Sequence, residues 1–169
     1  MAQLKIAYLG PAGTFTEMAA GQVSSSAELT PVASVTAAID AVLEGNADRA
    51  VVPIENSIEG GVSATSDALA VIGGVQIYGE YLVPVRFDLM AKPGTKLEDI
   101  SAVLTHPVAY AQSRKWLEAK LSNHTHIPAA STAAAAKAMA DGAACDAVIA
   151  ATGAAEIYGL EILASDIGE

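Results

Sequence analysis

Residues 4–9 read LKIAYL and are followed by the turn GPAG at residues 10–13 and by TFTEMAA at residues 14–20. The first run is short and almost wholly apolar, which is typical of a buried strand. Thr14 and Glu17 have the spacing of a capping box, so we predict a helix that begins directly after the turn. A buried strand that passes through a glycine turn into a helix is the repeating step of an α/β fold.

The same alternation continues along the chain. Apolar runs predict further strands at residues 28–33, 49–54, 102–104, 124–129 and 146–150. Helical spacing predicts helices at residues 34–43, 62–72, 108–121, 132–140 and 152–158. Between residues 75 and 90 the apolar residues alternate, which predicts one or two extended strands and a crossing into a second lobe.

We therefore predict an α/β fold of two lobes, with mainly parallel sheets flanked by helices. The first lobe would comprise residues 1–74 together with 160–169, and the second residues 75–159. Two-lobed α/β proteins usually bind their ligand in a cleft between the lobes, near the carboxyl ends of the strands.

Charge and composition narrow the classes of partner. The chain has 169 residues, with Lys+Arg 9 and Asp+Glu 19, so its net charge is −10. An acidic surface disfavours nucleic acid and anionic membranes, and leaves a small molecule or another protein as the partner. The single cysteine, Cys145, excludes a disulfide within the chain and a cysteine-based zinc site. No signal-peptide core precedes Gly10, and no apolar run is long enough to span a membrane, so we predict a cytoplasmic protein.

Four polar turns follow predicted strands and precede predicted helices, and they supply the candidate site. They are residues 10–16, residues 55–61, Thr105-His106-Pro107 with Gln112, and Ser131-Thr132. Free N–H groups at helix starts, together with hydroxyl and amide side chains, bind carboxylate or phosphate without lysines. Such a site positions an anion and needs neither a metal nor a cofactor.

Each of these residues also has a purely structural interpretation. Thr14, Ser131 and Thr132 are typical helix N-caps, and a lone histidine such as His106 is more often structural than catalytic. His124 and His126 alternate at strand spacing and pair on one face, which is a weak indication of a metal site. The succession Glu55-Asn56-Ser57 has no obvious packing role, so it is the strongest functional candidate.

At these same turns the sequence resembles the prephenate dehydratase family. The resemblance rests on five segments in family order, namely YLGPAGTFTE at 8–17, VPIENSIEG at 52–60, His106-Pro107 through Gln112, STAAA at 131–135, and AAEIYGL at 154–160. It implies a fold of the type II periplasmic-binding kind. It also implies a lyase of phenylalanine biosynthesis that converts prephenate into phenylpyruvate, water and carbon dioxide without a cofactor, and that forms dimers.

The resemblance also implies roles for individual residues. Asn56, Ser57 and Gln112 would be catalytic, with Glu55 as a polarising or orienting group. Substrate-binding roles would fall to Thr14, Phe15, Thr105, Ser131 and Thr132.

The sequence departs from the family pattern in several places. The family's Thr-Arg-Phe motif, whose threonine is a candidate proton donor, is expected soon after Asp166-Ile167-Gly168, and a phenylalanine-binding ACT domain commonly follows it. The family's frequent cysteine after the glutamine is Ser113 here. We therefore expect a truncated catalytic domain with little or no activity by itself. Arogenate dehydratase, and a non-catalytic small-anion-binding module of the same fold, stay open as alternatives.

Overall fold

A computed structural model describes residues 3–169 and divides the chain into two compact units. The first unit extends to Val83 and the second comprises Pro84–Glu169. Residues 1 and 2, with which the predicted first lobe begins, lie outside the described residues. In the first unit the elements are β1 (Lys5–Leu9), α1 (Phe15–Val23), β2 (Glu28–Val32), α2 (Val35–Leu43), β3 (Arg49–Val51), β4 (Glu55–Asn56), β5 (Gly60–Gly61) and α3 (Ser63–Val71).

The sheet of the first unit has the order β2-β1-β3, and both pairings are parallel. Side chains of a strand alternate between faces, so β1 serves two small cores. Ile6 and Tyr8 pack with Ala20 of α1 on one face, while Ala7 packs with Ala38 of α2 on the other. The central strand of this unit is therefore covered on both sides, as the continuous apolar run predicted.

The polar turn predicted at residues 55–61 is a small hairpin, in which β4 and β5 pair antiparallel.

The alternating stretch at residues 75–90 does not form the one or two long strands that were predicted for it. Only Asp88–Ala91 forms a ladder, and residues 75–87 form no strand. Several apolar side chains of this stretch are exposed, among them Ile77, Tyr78 and Leu82.

In the second unit a short 3-10 turn at Leu97–Asp99 accompanies five strands and four helices. They are β6 (Asp88–Ala91), β7 (Ala102–Thr105), α4 (Pro107–Gln112), α5 (Arg114–Lys120), β8 (Thr125–Pro128), α6 (Thr132–Ala140), β9 (Ala147–Ala150), α7 (Gly153–Tyr158) and β10 (Glu161–Ala164). The sheet order is β10-β6-β9-β7-β8. Strand β7 runs parallel to β8 and β9, whereas β6 runs antiparallel to β9 and β10. The prediction of an α/β fold with mainly parallel sheets is confirmed.

Alanine residues make up much of the core of the second unit. Ala135 and Ala136 of α6 are fully buried and pack with Met139 and with Val148 of β9. Alanine side chains are small, so the helix axis lies close to the sheet and the larger Met90 fills the remaining space.

The two units do not match the predicted lobes. We predicted the boundary after residue 74 and a return of residues 160–169 to the first lobe. The boundary lies after Val83, and β10 completes the second sheet by pairing with β6. The Glu161 carboxylate also accepts a hydrogen bond from the Gly94 N–H at 2.9 Å, which ties β10 to the turn after β6.

The helix predicted at residues 108–121 is interrupted. Ser113 leaves the helical conformation, with φ −101° and ψ 4°, and separates α4 from α5. Its hydroxyl is buried and has no partner among residues 3–169. Periodicity alone does not reveal this break, because the apolar spacing continues across it.

None of the helices in the described part of the chain combines the length and the apolar character that crossing a lipid bilayer requires.

Asp146 makes stability depend on pH. One oxygen of its carboxylate accepts hydrogen bonds from the Ser101 N–H at 3.0 Å, the Ser101 hydroxyl at 2.8 Å and the Ala102 N–H at 2.9 Å. The Ser101 N–H and hydroxyl are the main causes that hold the pKa of Asp146 below its ordinary value of 3.8. A carboxyl whose pKa is lower in the folded chain stabilises the fold above the unfolded pKa, and that stability is lost as pH falls through the folded pKa.

We expect wild type to be more stable than Asp146→Asn at neutral pH, and this difference to shrink progressively below the ordinary pKa of 3.8. Denaturant unfolding at several pH values measures it. Asp141→Asn is the matched control, because Asp141 is exposed and its carboxylate pairs with Lys137. A difference that grows toward low pH would contradict this account of Asp146.

Candidate functional site

The first turn of the candidate site is fixed by hydrogen bonds at the start of α1. The Thr14 hydroxyl accepts from the Glu17 N–H at 3.2 Å and donates to the Leu9 carbonyl at 3.2 Å. The Glu17 carboxylate accepts from the Gly13 N–H at 2.6 Å, one residue earlier than in the standard capping box. Thr14 is therefore an N-cap, as its structural interpretation predicted. Phe15, half-buried, is the first residue of the helix.

The hairpin β4–β5 carries the strongest predicted candidates. The side-chain carbonyl oxygen of Asn56 accepts from the Ile58 N–H at 2.9 Å and from the Glu59 N–H at 3.2 Å. These two bonds fix the side chain and leave its amide nitrogen to donate elsewhere. Glu55 and Ser57 are exposed on either side of it.

These two turns lie at the same edge of the first unit's sheet. Strands β1 and β3 are parallel neighbours, with Tyr8 opposite Val51. The segments that follow them contain Thr14 and Asn56, so both leave the sheet at the carboxyl ends of its strands. This edge is where open α/β sheets bind ligands.

In the second unit, Thr105 ends β7 and is completely buried. Its hydroxyl donates to the Ile149 carbonyl of the neighbouring strand β9 at 2.8 Å. The structure thus gives Thr105 a structural hydrogen bond, and no solvent-accessible surface with which to meet a substrate.

We expect Thr105→Val to lower the free energy of unfolding by about 1–3 kcal/mol, because it leaves the buried Ile149 carbonyl without its donor. Thr105→Ser, which keeps the hydroxyl, should lose only about 1 kcal/mol for the missing methyl group. Denaturant unfolding of both variants measures the difference. Unchanged stability with lost substrate affinity would show instead that the hydroxyl acts on the substrate.

Two further turns follow the parallel strands β7 and β8 at one edge of the sheet. His106 caps α4 through its Nδ1, which accepts from the Val108 N–H at 3.3 Å. Ser131 caps α6 through its hydroxyl, which accepts from the Ala134 N–H at 3.0 Å. Thr132 is the first residue of α6 and is half-buried. The cap satisfies one N–H of α6, and the other N–H groups of the first turn remain for an anion.

Gln112 is the last residue of α4 and lies beside the segment of residues 166–169. Its backbone carbonyl accepts from the Glu169 N–H at 2.8 Å. Its side-chain amide nitrogen is buried and has no partner in the described part of the chain. Unlike Thr105, Gln112 as a residue is only half-buried. A buried donor without an acceptor is unfavourable in the free protein, so a ligand oxygen that reaches this nitrogen would gain a strong hydrogen bond.

His124 and His126 flank the same tyrosine of α4. The Tyr110 hydroxyl lies 3.0 Å from Nε2 of His124, whose Nδ1 lies 2.5 Å from the Leu121 carbonyl. The carbonyl requires a proton on Nδ1, so Nε2 is the acceptor for the tyrosine. The His126 ring stacks on Tyr110 with centroids 4.0 Å apart, and its Nε2 donates to the Thr105 carbonyl at 3.1 Å.

Both histidines are therefore structural, and they hold α4 and β8 against the end of β7. Within residues 3–169 no three His, Cys, Asp or Glu side chains are grouped so that they could hold a metal ion. Sequence reasoning missed Asp88, a buried carboxylate that opens β6, because an acidic residue in an alternating stretch resembles an ordinary exposed position.

The fold gives the class of this protein, and comparison with known proteins gives its family. The fold and the polar turns define an α/β protein of two units whose helix starts and amides are suited to anions. The family model described as prephenate dehydratase matches residues 6–169. A prephenate dehydratase of Mycolicibacterium vanbaalenii is 46% identical over 177 residues, which cover 96% of this chain and 56% of that protein.

Two solved structures are also similar. A prephenate dehydratase from Arthrobacter aurescens in complex with L-Phe has a TM-score of 0.91 and 45% identity, covering 98% of this chain and 56% of that one. GqqA, described as a novel type of quorum quenching acylase, has a TM-score of 0.88 and 32% identity, covering 98% and 60%. The chain belongs to the prephenate dehydratase family. It spans a little over half the length of the curated relative, at 56%.

Proposed function

We propose that this chain forms the catalytic part of a prephenate dehydratase, which converts prephenate into phenylpyruvate, water and carbon dioxide. Membership of the family supports the reaction. The hydrogen bonds around Asn56 support the placement of this residue in the active site. Two backbone N–H groups hold the Asn56 carbonyl oxygen, at 2.9 and 3.2 Å, so the amide nitrogen is presented as a fixed donor. Preorganised donors of this kind stabilise charge that develops on a substrate oxygen.

The reaction needs the substrate to be held in one orientation and one proton to be delivered to its leaving hydroxyl group. The ring carboxylate leaves as carbon dioxide, and the electron pair of its bond to the ring enters the ring. The carbon–oxygen bond to the ring hydroxyl breaks at the same time, and that oxygen takes a proton and leaves as water. The ring becomes aromatic, so the step is favourable once the leaving oxygen is assisted and both carboxylates are oriented.

The sequence-predicted residues divide among these tasks. Asn56, Ser57 and Gln112 would donate hydrogen bonds to substrate oxygens, and the exposed Glu55 would orient or polarise the substrate. The start of α6, at Ser131 and Thr132, would receive a carboxylate through its N–H groups. In the first unit, Thr14 and Phe15 would bind the substrate. A net charge of −10 is consistent with an anion site built from dipoles rather than from lysines.

Formation of phenylpyruvate from prephenate tests the proposal. The assay compares residues 1–169 alone with the same residues joined to the part of the Mycolicibacterium vanbaalenii relative that the match does not cover. We expect turnover by the joined protein that depends on Asn56, and less turnover by residues 1–169 alone. Prephenate binding without turnover by the joined protein would favour the non-catalytic anion-binding module, and the absence of both would overturn the proposal.

Arogenate carries an ammonium group where prephenate has its side-chain ketone, so an acidic side chain near that position would favour it. Glu55 and Glu59 are both exposed acids of the hairpin. Competition between the two substrates at equal concentration distinguishes the enzymes, and we expect prephenate to be consumed faster.

The acylase description of GqqA defines a different reaction, which the contacts of the three histidines in the described part of the chain do not favour. Amide hydrolysis by a side-chain nucleophile needs a base within hydrogen-bond distance of that nucleophile. The recorded partners of His106, His124 and His126 are the Val108 N–H, the Leu121 carbonyl with Tyr110, and the Thr105 carbonyl. We therefore do not assign acylase activity to this chain.

We further infer a cytoplasmic homodimer. The exposed apolar side chains Ile77, Tyr78 and Leu82, which are 79%, 79% and 90% exposed, support contact with a second copy of the chain. We expect light scattering to give the mass of a dimer for wild type and of a monomer for Leu82→Glu. Val71→Glu, at an exposed position on α3, is the matched control. A wild-type monomer would contradict the inference.

A further inference from the structure

Asp88 is a buried carboxylate with an unusual set of partners. It is only 2% exposed, and it opens β6 opposite Ala150 of β9. One carboxylate oxygen accepts from the Asp166 N–H at 2.8 Å, and the other is buried without a partner among residues 3–169. Burying a carboxylate is costly unless hydrogen bonds or a counter-charge compensate it, so a buried carboxylate with one unpaired oxygen indicates a task that an apolar side chain cannot perform.

The task visible in the structure is to hold residue 166. Asp166 has φ 54°, which is uncommon for a residue other than glycine although aspartate adopts it more often than most, so a contact to its backbone stabilises a conformation of limited population. The Asp88 oxygen supplies a hydrogen bond to the Asp166 N–H. Arg86 forms an ion pair with the Asp166 carboxylate at 3.5 Å, but both side chains are largely exposed, so that pair contributes little.

From Asp166 onward the chain is held closely against two elements of the second unit. The Ile167 N–H donates to the Phe87 carbonyl at 2.8 Å, and Ile167 is buried. Gly168 lies so close to Phe87 that a Cβ there would be 3.1 Å from the ring. The Glu169 N–H donates to the Gln112 carbonyl at 2.8 Å. Residues 166–169 thus connect Asp88 to Gln112.

We propose that Asp88 is a positioning residue, which fixes the Gln112 amide for the substrate through the 166–169 segment. The inference rests on the proposed function, in which the buried and unpartnered amide nitrogen of Gln112 donates to prephenate. Asp88 itself does not contact the substrate. It fixes the turn at Asp166, and the bond from Glu169 transmits that position to the end of α4.

NMR spectroscopy tests the positioning without relying on activity. In Asp88→Ala we expect the side-chain amide resonances of Gln112 to shift and the Asp166 and Ile167 N–H groups to lose protection from hydrogen exchange. Asp88→Asn keeps a carbonyl oxygen for the Asp166 N–H, so it should restore both signals. Asp146→Ala is the matched control, since it removes another carboxylate that accepts backbone N–H groups in the same unit.

Binding of prephenate gives the second measurement. We expect the dissociation constant of Asp88→Ala to rise about tenfold, with recovery in Asp88→Asn, because a displaced donor loses its bond to a charged oxygen. If Asp88→Ala does not fold, Asp88→Leu replaces it, since leucine restores the buried volume without an acceptor. Unchanged Gln112 resonances in Asp88→Ala, or in Asp88→Leu where that variant replaces it, would overturn the positioning role. If the Gln112 resonances shift in Asp88→Ala but the wild type neither binds nor converts prephenate, the proposed function alone is overturned.

Discussion

Asn56→Asp should reduce kcat/KM for prephenate by a factor of about 10²–10³. The substitution is made in whichever form, residues 1–169 alone or the joined protein, shows turnover in the phenylpyruvate assay. The aspartate carboxylate can accept from the Ile58 and Glu59 N–H groups as the Asn56 carbonyl oxygen does, at 2.9 and 3.2 Å in the wild type. The hairpin therefore keeps its shape. The substitution replaces only the amide donor with a negatively charged oxygen, which cannot donate and repels a dicarboxylate substrate.

Two controls separate this chemical effect from a structural one. Asn46→Asp makes the same change of charge in an exposed loop of the same unit and should leave turnover unchanged. Asn56→Ala removes the acceptor of the turn as well as the donor, so it should lose stability in addition to activity. Full activity of Asn56→Asp would show that the amide nitrogen does not contact the substrate.

Gly10→Ala should lower the free energy of unfolding by about 1–3 kcal/mol, because there is no space for the added methyl group. An ideal Cβ at Gly10 would lie 2.7 Å from Cβ of Pro31 and 3.3 Å from its Cα. Both atoms belong to a rigid ring on the neighbouring strand, so they cannot move aside without disturbing the pairing of β1 with β2. Denaturant unfolding measures the loss of stability, with wild type and variant fitted to the same dependence of the free energy of unfolding on denaturant concentration.

Gly21→Ala is the matched control and should have the opposite sign. Gly21 lies inside α1, and nothing lies within 4 Å of a Cβ built there. Alanine in a helix interior is favoured over glycine by about 0.5–1 kcal/mol, so this variant should be more stable than wild type. Equal stability of the two variants would show that contact with Pro31 is not the reason for glycine at position 10.

Local sequence signals predicted most of the elements. Buried strands such as Lys5–Leu9 and Ala147–Ala150 are continuous apolar runs, and the caps Thr14, Ser34 and Ser131 mark where α1, α2 and α6 begin. These signals act between neighbouring residues, so they are visible in the chain before it folds.

What could not be predicted depends on contacts between distant segments. The placement of β10 follows from its pairing with β6, about seventy residues earlier, and no local pattern specifies that partner. The same holds for the site. The motif order indicated Asn56 and Gln112, but the burial of Thr105 and the role of Asp88 arise from β9 and from residue 166.

The order of the strands also has a consequence for how the chain folds as it is synthesised. All ladder partners in the sheet of the first unit lie between Lys5 and Val51, so this sheet can form as soon as that stretch has left the ribosome. Strand β6 must wait for β9 and β10, because Asp88 pairs with Ala150 and Met90 with Ile162. Sheets with such distant partners fold slowly. The edges of β6 therefore stay unpaired during synthesis for longer than those of the strands in the first unit.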